Sequence, residues 1–125
     1  MFDVLPTNLA PPKGPVSGAV RCGGMIITAQ IPKDSNGNIV AGDIAVQTRK
    51  ILENLQTTLA ASGGTLRDVG HLFIYLVNTD DAAEMNRIYC EFFKPPYPCR
   101  CTVVVKDLLA KNMLVELVAY AHIGP

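Results

Sequence analysis

The chain has 125 residues and a mass of 13.5 kDa, which is enough for one domain with its own core, so we predict a single domain over residues 1–125. Eleven basic residues balance eleven acidic ones, and the basic residues stand singly apart from Arg49 and Lys50. This distribution gives no basic patch for nucleic acid or an anionic membrane, and a nucleic-acid function is disfavoured. Apolar residues make up 49% of the chain and the mean hydropathy is +0.24, an excess that predicts burial against other subunits.

The N-terminal stretch MFDVLPTNLAPPKGP contains Asp3 and several prolines, without a basic start or a continuous apolar run. It matches neither a signal peptide nor a membrane span, which favours a cytosolic protein. In that compartment the four cysteines should remain thiols, and Cys99 and Cys101 are too close in an extended strand to bridge each other. We interpret the four cysteines as small buried apolar residues.

The sequence pattern in the first third of the chain predicts extended structure. Residues 1–13 form an extended arm, and two strands follow in GPVSGAVRC and GMIITAQI, with the Gly23–Gly24 pair in the tight turn between them. The next segment, KDSNGNIV, contains the Asn36–Gly37 pair, which suits a two-residue hairpin turn. The sheet therefore begins near the N-terminus.

A helix and a buried strand come next. Between Asp43 and Ser62 apolar residues recur at helical spacing, and Asp43 is a suitable N-cap. The Gly63–Gly64 pair ends this helix. The following segment, VGHLFIYLVN, is apolar and rich in β-branched and aromatic residues, which predicts a central strand covered on both faces.

A second helix is predicted in the last third of the chain. Asp80 or Asp81 caps it, it runs through Phe93, and KPPYP then ends it. One stripe of this helix carries Met85, Tyr89 and Phe92.

Two further strands complete the predicted fold, over CRCTVVV and MLVELVAYAHI, and KDLLAKN joins them. The order βββαβαββ predicts an α+β fold in which two helices cover one face of a mixed sheet. The other face of the sheet would be bare in a monomer, which predicts that neighbouring subunits cover it.

Arg100 lies at the start of an apolar strand, between two cysteines. Side chains alternate along a strand, so Arg100 and Thr102 point to one face while Cys99 and Cys101 point to the other. An arginine in an apolar setting needs an anionic partner, and its planar guanidinium suits a carboxylate held by two parallel hydrogen bonds. That partner is either a side chain of the protein or a ligand.

Glu116 has apolar residues at three positions on either side. Its carboxyl should have a raised pKa unless it is paired, which is typical of a proton-transfer group near neutral pH. One interpretation is a structural ion pair between Arg100 and Glu116 on the last two strands. In the other interpretation Arg100 binds the carboxylate of a substrate and Glu116 handles a water molecule.

The remaining chemistry-bearing residues indicate no metal site and no nucleotide site. His71 and His122 are single imidazoles without cysteines or carboxylates at ligand spacing. Cys99 and Cys101 do not form a Cys-x-x-Cys pair, which disfavours a thiol redox role. The glycines near the N-terminus lack the strand-to-helix context of a phosphate loop.

Six segments spanning nearly the whole chain occur in the order and spacing of a known family: APPKGPVSGAV, GGMIITAQIP, QTRKILENLQTTLAASGGTLRDV, MNRIYCEFF, YPCRCTVVV and MLVELVAYA. By these segments the sequence resembles the Rid family of reactive-intermediate imine deaminases, whose members are also described as translation inhibitors or L-PSP endoribonucleases. The resemblance implies a chorismate-mutase-like fold assembled as a homotrimer, with three equivalent clefts between subunits. It also implies hydrolysis of enamines and imines, such as 2-iminopropanoate and 2-iminobutanoate, to 2-oxo acids and ammonia without a cofactor.

The resemblance also implies roles for three residues. Arg100 falls on the family arginine that binds the substrate carboxylate, and Glu116 falls on the glutamate that positions water. Thr102 falls on a position whose backbone contacts the ligand. Hydrolysing an electrophilic iminium needs orientation and a placed water more than a strong nucleophile, so few residues suffice.

The sequence departs from the family pattern at substrate-binding positions. Val16 stands where an aromatic residue follows Gly-Pro, and Thr102 stands in place of the more usual cysteine. The family segment TSGQIP is here TAQIP, one residue shorter, so that Thr28 or Ala29 takes the position of the family serine. These changes predict altered selectivity and rate.

Two other functions compete with the deaminase. The first is a ligand-binding or regulatory trimer that uses the same cleft without turnover, and Val16 together with the shortened TAQIP favours it. The second is RNA cleavage, which only the older family names suggest. Zero net charge and the lack of a general-acid histidine pair disfavour RNA cleavage.

Overall fold

The computed structural model describes residues 1–124. Their helices and strands, in chain order, are β1 (Asp3–Val4), β2 (Ala19–Cys22), β3 (Met25–Gln30), α1 (Ile44–Ala61), β4 (Val69–Leu76), α2 (Ala82–Phe92), β5 (Cys99–Val104) and β6 (Val115–His122). This is the predicted order βββαβαββ, and the N-terminal arm contributes the first strand. Pro125, the last residue of the predicted domain, lies outside the described residues.

The strands form one mixed sheet in the order β1-β2-β3-β6-β4-β5. β4 and β5 are parallel, and the other neighbouring pairs are antiparallel. Both helices contribute to one buried cluster with the same face of the sheet. The predicted α+β architecture, with two helices on one face of a mixed sheet, is therefore confirmed.

The core lies between this face and the helices. Ile51 and Leu55 of α1, and Met85 of α2, are at most 1% exposed and share a cluster with Leu72 of β4 and Leu117 of β6. Burying one such side chain contributes about 1.5–3 kcal/mol. This burial holds the helices against the sheet and thereby determines which side chains of α2 lie next to β5.

Helix α1 begins and ends at the residues that the sequence indicates. The side chain of Asp43 accepts a hydrogen bond of 3.1 Å from the Val46 amide at the N-terminus. At the C-terminus Gly63 has a φ of +86°, and the Gly64 amide donates to the Leu59 carbonyl at 2.9 Å. The predicted helix between Asp43 and the glycine pair is confirmed.

Helix α2 differs in detail from the prediction. A 3-10 turn over Thr79–Asp81 precedes it, and the Asp81 side chain makes no capping hydrogen bond. Its buried residues are Met85, Ile88 and Tyr89. Phe92, predicted in the buried stripe, is only half-buried, and Phe93 beside it is 3% exposed instead.

The predicted two-residue hairpin turn at Asn36–Gly37 is wrong. The Asp34 amide donates to the Asn38 carbonyl at 2.9 Å, so three residues lie in the loop between them. Asp34 Oδ1 accepts from the amides of Asn36 and Asn38, at 2.9 and 3.0 Å. The hydrogen bonds from these two amides to the Asp34 carboxylate stabilise the three-residue loop, in which Gly37 has a φ of +83°.

The sheet face opposite the helices is uncovered in the single chain. On β4 the helix-facing Leu72 and Ile74 are at most 2% exposed, whereas Phe73 and Tyr75 on the opposite face are half-buried. The prediction that β4 is covered on both faces is therefore wrong for one chain. Because no helix among residues 1–124 covers this face, Phe73 and Tyr75 keep part of their apolar surface accessible in the single chain.

The predicted burial of the cysteines is also wrong. All four are free thiols and exposed. Cys99 and Cys101 pair in register with His71 and Phe73 of β4, which places them on the uncovered face. Cys90 lies on the exposed side of α2.

Candidate active site

Arg100 lies on β5 in register with Leu72 of β4, so it shares the sheet face that packs against the helices. Its Nη2 donates a hydrogen bond of 2.6 Å to Oδ1 of Asn86 on α2. Its guanidinium carbon stands 4.5 Å from the centroid of the Tyr89 ring, one helical turn further along α2. A hydrogen bond and a cation–π contact therefore orient the guanidinium from α2.

The guanidinium of Arg100 has no acidic partner among residues 1–124, since no carboxylate oxygen lies within 4.0 Å of it. Asn86 and Tyr89 are both uncharged, so they orient the cation without neutralising it. Arg100 is half-buried, which leaves part of the guanidinium accessible to a ligand. An oriented, partly accessible guanidinium with its charge available is suited to a small carboxylate.

Tyr89 is held rigidly beneath this cation. Tyr89 is 5% exposed, and its ring stacks on that of Phe93 with centroids 4.5 Å apart. Burial raises the pKa of the Tyr89 hydroxyl, and the charge of Arg100 opposes this shift. The phenol therefore stays neutral at physiological pH and acts on Arg100 through its ring.

Thr102 lies two residues beyond Arg100 on the same face of β5. Its hydroxyl oxygen is buried and makes no hydrogen bond within the described chain. The side chain is thus directed into the seam between β5 and the helices. The predicted contact between the Thr102 backbone and a ligand stays a prediction.

Glu116 lies on β6 in register with Tyr75 of β4, on the uncovered face of the sheet. Its carboxyl is half-buried, and burial raises its pKa above the ordinary value. It lines a cavity of about 650 Å³ that Val16 and Ala29 also line. A carboxylate at the wall of such a cavity can accept and return protons from a water molecule.

The structure separates the residues predicted around the TAQIP segment. Ala29 lies on the uncovered face and lines the Glu116 cavity together with Val16, which is 66% exposed. Thr28 points the other way and is 2% exposed. Its hydroxyl donates to the Gly18 carbonyl at 2.7 Å and accepts from Gln30 Nε2 at 2.9 Å. The side chain of Thr28 is therefore occupied inside the protein, whereas Ala29 faces the cavity, and the prediction that either residue contacts substrate stays a prediction.

Arg100 and Glu116 do not form the structural ion pair that the sequence left open. β4 lies between β5 and β6, and the two side chains extend from opposite faces of the sheet. No salt bridge joins them in the part of the chain that the structure describes. Within one chain they therefore cannot contact the same small molecule.

Sequence reasoning missed two residues that belong to this site. Asn86 had no signal, because a single amide on the polar side of a helix is common. Tyr89 was assigned to the core stripe of α2, where it does lie, but its contact with Arg100 was not predicted. Asn86 and Tyr89 are three residues apart, which places them on the same side of α2. This spacing indicates a shared contact with Arg100 only when α2 is known to pack against β5.

Residues 1–124 contain no cluster of metal ligands and no helix suited to span a membrane. No group of three or more histidine, cysteine, aspartate or glutamate side chains there is arranged to hold a metal ion. Neither helix combines the length and the apolar character needed to cross a bilayer. The cytosolic location stays a prediction.

Comparison with known proteins identifies the family. The family model described as Endoribonuclease L-PSP matches residues 7–123, which is nearly the whole chain. The chain belongs to this family. Its members include proteins named Rid, so the resemblance seen in the sequence is confirmed.

Relatives of this Rid-family chain match it from end to end. A RutC family protein of Pyrococcus horikoshii is 42% identical over 125 residues, covering 98% of each chain. The 3-aminoacrylate deaminase RutC of Acinetobacter baylyi is 33% identical over 122 residues, covering 96% of each chain.

Solved structures of Rid-type proteins superpose closely on this fold. The conserved Rid family protein YyfA of Yersinia pestis has a TM-score of 0.90 at 33% identity, covering 98% of this chain and 100% of its own. Escherichia coli TdcF, solved with bound serine, has a TM-score of 0.86 at 29% identity, covering 98% of both chains. The predicted chorismate-mutase-like α+β fold is thereby confirmed.

Proposed function

We propose that this protein hydrolyses reactive 2-imino acids and their enamine tautomers, such as 2-iminopropanoate and 2-iminobutanoate, to 2-oxo acids and ammonia. The observation that carries the proposal is the guanidinium of Arg100, which Asn86 and Tyr89 orient and no carboxylate among residues 1–124 neutralises. A 2-imino acid offers this guanidinium a carboxylate next to the reactive carbon. No cofactor takes part in the proposed reaction.

The proposed site lies between copies of the chain, in a homotrimer with three clefts. Arg100 and Glu116 extend from opposite faces of one sheet, so only residues from two copies can converge on one substrate. The uncovered face carries Glu116 together with Phe73, Tyr75 and Val118, an apolar surface that a second copy would bury. The same contact between copies would then bury this surface and bring Arg100 of one copy to Glu116 of the other.

The chemistry follows from these two groups. Arg100 of one protomer binds the substrate carboxylate and fixes the iminium carbon near Glu116 of the next protomer. Glu116 takes a proton from water as the oxygen attacks that carbon, which gives a carbinolamine. Glu116 then returns the proton to the amine nitrogen. The carbon–nitrogen bond breaks as the carbonyl forms, and the hydroxyl proton of the carbinolamine passes through Glu116 to the departing ammonia. The net reaction turns one iminium and one water into a 2-oxo acid and ammonium.

The environment of Glu116 suits this relay. Burial raises the pKa of its carboxyl, so the carboxylate is a stronger base than an exposed glutamate and its acid form is easier to regenerate. Two relatives support the substrate class. One is named a 3-aminoacrylate deaminase, and a structural neighbour was solved with bound serine, which carries the same carboxylate and nitrogen arrangement as a small imino acid.

A second candidate is a trimer that binds small acids without turning them over. The open cavity wall at Val16 and Ala29 favours it, because neither side chain offers a hydrogen bond to a substrate. RNA cleavage, which the family description names, has less support here. The chain has zero net charge, and two of its exposed arginines, Arg49 and Arg87, are paired with Glu91 and Glu84.

Complementation between inactive chains tests the proposal. Arg100→Ala and Glu116→Gln homo-oligomers should each lose at least about 100-fold in kcat/KM for an imine generated in the assay, since each lacks one half of every site. Mixing the two chains and allowing subunits to exchange should restore activity, because some clefts then combine two intact residues. Equal activity of wild-type and Arg100→Ala protein would contradict the enzyme function. Full loss with no recovery on mixing would contradict a site shared between copies.

A further inference from the structure

Lys33 is a half-buried cation that the proposed reaction does not use. It follows β3, and its ammonium donates a hydrogen bond to the main-chain carbonyl of Ala10 in the N-terminal arm. No carboxylate oxygen of residues 1–124 lies within 4.0 Å of it. Burial lowers the pKa of this amine, as expected when a cation loses water without gaining a counter-ion. A bound anion would supply the charge that the protein does not provide.

Lys33 and Glu116 line the same cavity of about 650 Å³. This volume lies within the range of about 300–1,000 Å³ typical of sites for drug-sized ligands. A three-carbon or four-carbon imino acid would fill a small part of it. The cavity is therefore matched to a substrate whose chain continues beyond the reacting carbon.

The walls of the cavity are apolar, and its charges are mostly positive. Apolar wall residues are Val16, Ala29, Ile31, Ile39 and Val40. The exposed Lys13 and Lys111 also line it, so three lysines and a single carboxylate, that of Glu116, contribute to its lining. This combination favours a ligand with a carbon chain and a negative charge at its far end.

We propose that Lys33 binds a second anionic group of the substrate, and that the preferred substrates are 2-imino dicarboxylates, the imines of amino acids with acidic side chains. This inference rests on the proposed function. Arg100 takes the carboxylate next to the imine, Glu116 places water at the imine carbon, and the side chain crosses the cavity to Lys33. The distal carboxylate is unchanged by the reaction, which consumes one water and releases one ammonium as before.

The test compares two imines with the same five-carbon skeleton, made in the assay by an amino-acid oxidase from glutamate and from norvaline. The enzyme competes with semicarbazide for each imine, so the fall in trapped semicarbazone gives kcat/KM. For the wild-type protein we expect a preference of about tenfold or more for the glutamate-derived imine. Lys33→Met should bring the ratio of the two values close to one, and Lys33→Arg should keep most of it. Lys50→Met, at a half-buried lysine of α1 that does not line this cavity, is the matched control and should change neither value.

Binding of the 2-oxo acid products separates this inference from the proposed function. Calorimetry with 2-oxoglutarate and 2-oxopentanoate measures binding without turnover. The dicarboxylate 2-oxoglutarate should bind more tightly, and its advantage in affinity should be lost in Lys33→Met and should decrease with added salt. If this holds while no imine is hydrolysed, the deaminase proposal fails and the Lys33 site stands. If both imines are hydrolysed equally and Lys33→Met leaves their ratio unchanged, the Lys33 site is wrong and the deaminase stands.

Discussion

Removing the amide that orients Arg100 should weaken catalysis without unfolding the protein. In Asn86→Ala the hydrogen bond of 2.6 Å from Arg100 Nη2 is lost, and the guanidinium keeps only the Tyr89 ring as support. A hydrogen bond to a charged group contributes about 1.5–3 kcal/mol, and the lower end applies because Asn86 is exposed and water can replace it. A loss of about 1.4 kcal/mol corresponds to about tenfold in kcat/KM.

The companion variant Asn86→Asp distinguishes orientation from simple damage. It keeps an acceptor in place but adds a carboxylate that competes with the substrate for Arg100, so KM should rise more than in Asn86→Ala while the melting temperature stays the same or rises. The assay is steady-state hydrolysis of an imine generated by an oxidase, with unfolding followed by circular dichroism. If neither variant changes kcat/KM, or if both changes follow a fall in melting temperature, the orienting role of Asn86 is refuted.

Three further predictions follow from single positions. Burial raises the pKa of the Glu116 carboxyl, so its ionisation lowers the stability of the folded state as the pH rises above 4.5. The Glu116→Gln protein should therefore be more stable than wild type at pH 7, and this difference should disappear below pH 4.5. Urea unfolding measured across this pH range checks the prediction. Val16→Tyr places a ring at the wall of the 650 Å³ cavity and should raise KM for long-chain imines more than for 2-iminopropanoate in the oxidase-coupled assay. Gly63→Ala places an alanine at a backbone φ of +86°, so the free energy of unfolding measured in urea should fall by about 1 kcal/mol. Gly14→Ala, at a glycine with open space around it, should lower the free energy of unfolding by less.

Local patterns in the sequence were enough to predict the helices and strands. Asp43 and the Gly63–Gly64 pair enclose α1 because a side-chain cap and a left-handed glycine act within one turn of the helix. The alternation along β5 also predicted that Arg100 and Cys101 would face opposite ways. Each of these features depends on neighbours within a few residues.

Features that depend on distant parts of the chain were missed. One interpretation paired Arg100 with Glu116 on the last two strands, but β4 lies between β5 and β6, because strand order depends on which strands pair across the whole fold. The ion-pair interpretation of Arg100 and Glu116 failed for this reason. Likewise, Asn86 becomes a partner of Arg100 only when α2 packs across the sheet, and that packing has no signature near residue 86.

The uncovered sheet face connects assembly with chemistry in the proposed enzyme. Glu116 is half-buried on this face, and burial in the single chain already raises the pKa of its carboxyl. A second copy that covers Phe73 and Tyr75 would remove more water from the same surface and raise that pKa further. The same contact would bring the next protomer's Arg100 towards the cavity. The contact that buries the apolar face would thus also set the basicity of the proton relay. On a dissociated chain Glu116 would be a weaker base and would lack its substrate-binding partner.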